Sequence, residues 1–184
     1  MLTTAERPPA GADRPLAAPH RGAPHTPRWW RDTVGSLTWA SVLVVAALWA
    51  AGGGVQDLGG LASGMTSLGR LTGLVGSDLL LIQVLLMARI PMVERVFGQD
   101  ELARRHRLVG FSSFTLMLAH IVLITLGYAA QSSTNPVAEL WDMIVNYPGM
   151  LLALAGTLAL VLVTVTSIRK ARKKLRYESW HLLH

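Results

Sequence analysis

Four apolar runs constrain this chain more than any other feature. They cover about residues 35–51, 71–90, 104–128 (which opens on a basic cluster) and 150–168. A helix rises 1.5 Å per residue and the hydrocarbon core of a bilayer is about 30 Å thick, so about 17–25 apolar residues cross it. Inside hydrocarbon every backbone N–H and C=O needs an internal partner, which makes such runs helical. The expected fold is therefore all-α: a multi-span transmembrane helix bundle with four complete spans and the start of a fifth. Composition agrees, since 51% of the 184 residues are hydrophobic and only 15% are charged. That balance belongs to a protein of the lipid bilayer.

The punctuation between the runs is clear in places. Gly52-Gly53-Gly54 ends the first and Pro91 stops the second. Residues 55–70 are small and spotted with polar groups, and read as a loop or interfacial turn. Val93 to Arg105 reads as a polar connection, within which Gly98 and Asp100-Glu101 have helix-start chemistry. Asn135-Pro136 and Tyr147-Pro148-Gly149 bracket VAELWDMIV, whose apolar spacing predicts a short helix lying on the membrane surface. Residues 1–33, rich in Pro, Ala and Arg, read as a disordered cytoplasmic tail, with Trp29 and Trp30 as interfacial anchors. No cleaved signal peptide is expected, because the first apolar run begins too far in. At the other end, Tyr177 to His184 reads as the first turns of a further apolar helix. The expectation is thus a fragment whose membrane domain, residues 34–184, is incomplete at its C-terminus.

Charge gives an orientation. If the spans alternate, sixteen of the seventeen Lys and Arg residues fall on one side, and Arg70 alone falls on the other. The positive-inside rule then puts the N-terminus in the cytoplasm and the chain in the plasma membrane. The loop 129–148 carries Glu139 and Asp142 and no basic residue. The formal charge of +6 is therefore a topology signal, and no nucleic-acid partner is implied. There are no cysteines, which excludes disulfides, cysteine-held iron–sulfur clusters, thiolate-bound haem and covalent haem attachment.

Any redox metal must then rest on His, Met, Tyr or carboxylates, and the histidines are the informative ones. His20 and His25 lie in the tail and read as surface residues. His106 and His120 are fourteen residues apart, just under four turns, so they share a helix face roughly 21 Å apart along the axis. One imidazole near each side of the hydrocarbon core suits two stacked haems, each iron taking neutral imidazoles from two facing helices. His106 lies near the cytoplasmic leaflet and His120 near the outer one. His181 and His184 begin the fifth helix at the depth of His106, and only one of them can bind an iron there. His120 needs a partner beyond the end of this sequence. Gly110, one turn from His106, leaves room for a porphyrin, and Arg89, Arg104, Arg105 and Arg107 are candidates to pair with haem propionates. The plainer readings are an interfacial His106, a helix-packing His120 and glycines that ease helix contact. Met117 reads as core packing, and Asp78 and Gln83 as polar links between helices.

His106-Arg107, Gly110 and His120, followed by Tyr177-Glu178-x-Trp180-x-x-x-His184, resemble the ferric reductase-like transmembrane domain, the family of ferric reductases and of the membrane part of NADPH oxidases. Arg89-x-Pro91-x-x-Glu94 to Gly98-x-Asp100 is similar to bacterial members. The resemblance covers about residues 35–184. It implies two b-type haems held by paired histidines on the third and fifth helices. His106 and His184 would hold the inner haem, and His120 half of the outer one. It also implies a downstream flavoprotein domain that passes electrons from NAD(P)H through FAD. The fourth histidine, the sixth helix and that domain are not in this sequence, so the chain by itself is expected to be inactive. Two other readings remain open on the sequence: a haem-bearing subunit fed by quinone that serves a separate soluble reductase, and a membrane protein without a cofactor.

Overall fold

A computed structural model describes residues 28–167. Its elements, in order, are α1 (Arg28–Trp49), α2 (Leu61–Met87), α3 (Pro91–Phe97), α4 (Gln99–Ser132), α5 (Pro136–Asn146) and α6 (Met150–Ser167). No strand occurs among the described residues. Four stretches are long and apolar enough to cross a bilayer: Asp32–Gly54, Leu61–Met87, Gln99–Ser132 and Met150–Ser167. The chain is an integral membrane protein built as an all-α bundle. Many large apolar side chains stay exposed along these helices, among them Trp39, Leu43, Leu81, Phe111 and Leu152, as expected where lipid is the solvent.

The bundle is organised on α2 and α4, its most extensive pairing. They run antiparallel. The α2 residues buried in the bundle are Gly64, Thr66, Ser67, Gly69, Gly73 and Gly76, all small. In lipid, helices associate by close backbone approach rather than by burying apolar surface, so small residues are what such a seam selects. Residues 61–70, expected to be loop, are instead the first turns of α2. Their low hydropathy reads as a turn in sequence, but the same small side chains serve helix packing. The turn before them is short: Gln56–Gly59 forms one tight turn, and extended Gly60 starts the helix.

Two other boundaries move. Residues 28–33, expected to belong to the tail, open α1. Most of the expected polar connection 93–105 is helical, as α3 and the first two turns of α4. Pro91 begins α3 rather than ending α2, since its fixed φ and missing N–H suit a first helical turn. Left-handed Arg89 and Gly98 bracket α3. Asp100 and Glu101 stand in the first turn of α4, where acidic groups favour the helix start. The expected surface helix is α5, capped by the Asn135 side chain, which accepts from the Val137 N–H at 2.8 Å. α6 packs chiefly against α5.

α1 is tied to α2 at two heights. Near its end, the Trp49 Nε1–H donates to the Ser67 carbonyl at 3.0 Å, and the Ser67 hydroxyl donates to the Gly54 carbonyl at 2.7 Å. Deeper, the Ser41 hydroxyl reaches Asp78 Oδ2 at 3.0 Å. Asp78 thus links helices, as expected of it.

Candidate functional site: two histidines on the α2–α4 seam

His106 and His120 both turn towards α2. The Nδ1 of His120 lies 2.7 Å from the Gly69 carbonyl oxygen, and the Nδ1 of His106 lies 3.3 Å from the Gln83 carbonyl oxygen. A carbonyl can only accept, so each Nδ1 carries a hydrogen, and the neutral form of each ring has its lone pair on Nε2. Among the described residues, neither Nε2 has a hydrogen-bond partner. Moving fourteen residues along α4 from one histidine to the other is matched by fourteen residues back along α2, from Gln83 to Gly69. The antiparallel seam therefore repeats one arrangement at two depths.

This arrangement suits metal ligation. A metal-binding imidazole typically gives its other N–H to a carbonyl or carboxylate, which fixes the tautomer and aims the ring. Among the described residues no three His, Asp or Glu side chains converge. Two imidazoles about 21 Å apart along α4 are too distant to share one metal, so each would need its own centre and a second ligand from elsewhere. That donor set fits a haem held between two helices.

The seam positions each ring differently. At His120 the opposing residue is Gly73, and α2 presents bare backbone to the imidazole. His106 meets the Gln83 main chain, and the Gln83 side chain lies further along α4, where its Oε1 accepts from the Ser113 hydroxyl at 3.2 Å. Gly110, expected to leave room for a porphyrin, opens onto this amide: a Cβ there would lie 3.1 Å from Gln83 Oε1. Gln83 thus links helices. Met117 packs across the seam, with its Sδ 3.2 Å from the place of a Cβ on Gly76.

Two of the expected propionate partners, Arg104 and Arg105, have protein partners of their own. Arg104 Nη2 lies 2.8 Å and Arg105 Nε 2.9 Å from Glu101, and the Arg105 guanidinium stacks over Phe97 at 4.4 Å. Arg107 is exposed. A recess of about 800 Å³ bounded by Asp32, Trp39 and Arg105 contains neither histidine. His181 and His184 lie outside the described residues. Gly73, read in sequence as easing helix contact, does so against the His120 ring; the α2 carbonyls were missed. The available signal was Gly69-x-x-x-Gly73 in α2, the small-residue spacing of a membrane helix seam.

Known proteins agree with this picture at the level of family. An uncharacterized protein from Archaeoglobus fulgidus is 26% identical over 107 residues, a match that spans 58% of this chain and 58% of that relative. No solved structure matches. Residues 72–184 match the family model described as "Ferric reductase like transmembrane component". That stretch takes in most of α2 and both seam histidines, and covers more than half of the chain: the protein belongs to the ferric reductase-like transmembrane family.

Proposed function

We propose that the chain is the membrane part of a flavin- and NAD(P)H-dependent oxidoreductase and carries electrons across the bilayer through two b-type haems. A haem iron supplies one-electron chemistry by alternating between the ferric and ferrous states. The observation that carries this reading is the repeated anchor: two imidazoles on one helix, each with Nδ1 committed to an α2 carbonyl and Nε2 left for a metal. In this reading His106 and His120 would each hold one haem, at two depths, and His184 would supply the second ligand at the level of His106. The charge bias puts the N-terminus and His106 on the cytoplasmic side, where a downstream flavoprotein domain delivers electrons. Arg104 and Arg107 serve the propionates of the inner haem. α2 contributes rigidity, holding both rings so that neither ligand rearranges when the iron changes charge.

The test is His120→Leu in the whole protein, purified in detergent after expression with ample haem supply. One haem should disappear from the absorption spectrum while the other remains. An unchanged spectrum would reject His120 as a ligand, and a haem-free wild-type preparation would reject the electron-carrying role.

A further inference from the structure

Gly73 lies where α2 meets the His120 ring. A Cβ there would stand 2.5 Å from Nδ1, 2.9 Å from Cε1 and 3.0 Å from Cγ of His120. The imidazole therefore occupies space that any other residue would fill. From that position Nδ1 reaches the Gly69 carbonyl at 2.7 Å. The equivalent bond of His106, to Gln83, is longer at 3.3 Å. One turn beyond Gln83 the residue is Met87, where the other site has Gly73.

Resting on the proposed electron-carrying role, we infer that Gly73 is a positioning residue that sets the redox potential at the outer level, by leaving the room in which the His120 Nδ1–H reaches the Gly69 carbonyl. A strong N–H···O bond at Nδ1 shifts electron density into the ring and makes Nε2 a more basic donor. A more basic axial ligand stabilises the ferric state, so this contact lowers the potential at its own level and acts more weakly at His106. The Gly69 carbonyl is also shared: the Thr72 hydroxyl donates to it at 2.9 Å. Thr72 competes with His120 for one acceptor and moderates the effect.

Two opposite substitutions test this. In the whole protein, Gly73→Ala should push the ring off the carbonyl and shift one midpoint potential upward, that of the haem lost in His120→Leu. Its ferric electron paramagnetic resonance signal should change with it. Thr72→Val removes the competing hydroxyl at nearly constant volume and should shift the same potential downward. Gly76→Ala, on the same seam but facing the mobile Met117 thioether, should move neither potential. The role of Gly73 is overturned if Gly73→Ala shifts both haems equally, or if Thr72→Val leaves both potentials at their wild-type values. Thr72→Val decides alone should Gly73→Ala fail to accumulate. Two haems with no selective shift would refute only this tuning. A wild-type protein without haem would refute the electron-carrying reading, and this inference with it.

Discussion

The two ends of the α2–α4 seam do the same job with different materials. At the His120 end, Gly69, Gly73 and Gly127 bring backbone against backbone. At Gly127 a Cβ would run into the Thr66 hydroxyl and lie 2.9 Å from the Thr66 backbone nitrogen. At the His106 end, the Gln83 amide and the Ser113 hydroxyl fill the gap. Where side chains are absent, ring position is fixed by main chain that cannot rotate away. Both rings bond α2 main-chain carbonyls, His120 at 2.7 Å and His106 at 3.3 Å, while the Gln83 amide bonds Ser113, about two turns further along α4.

The comparison breaks at once if the two histidines do not serve separate centres. His106→Leu and His120→Leu should each remove a different haem from the spectrum, and loss of the same haem by both would end it. Next in size is Gly127→Leu, which overpacks the tight end. It should cost about 1–3 kcal/mol, seen as a lower unfolding midpoint in detergent, and an unchanged midpoint would show that this end is not close-packed. At the polar end Ser113→Ala should cost less, about 0.6 kcal/mol as for other hydrogen bonds between membrane helices. A cost as large as that of Gly127→Leu would show the amide end to be no softer than the glycine end. Smallest is Arg70→Gln. Its contact with Asp57 spans 3.8 Å between half-exposed side chains, and such pairs contribute about 0.5 kcal/mol or less.

Hydropathy located all four spans, because twenty apolar residues in a row have few alternatives. Two prolines and apolar residues at helical spacing located α5. Residues 61–70 were not legible in that way, since Gly64, Thr66, Ser67 and Gly69 have low hydropathy whether they form a loop or a seam. Only the partner helix distinguishes the two. The candidate ligands His106 and His120 were legible from spacing. Their anchors were not, because a main-chain carbonyl has no sequence signature and the register of α2 against α4 sets which one is met. Gly110 shows the same limit. A missing side chain advertises space, but the sequence does not say that Gln83 fills it.

α4 has one mechanical consequence. Its 34 residues make a rod of about 51 Å, against roughly 30 Å of hydrocarbon, and no proline interrupts it. The surplus includes the turn where Glu101 grips Arg104 and Arg105, less than two turns from His106. With no proline between them, a tilt of those first turns carries to the depth of the His106 imidazole without crossing a joint.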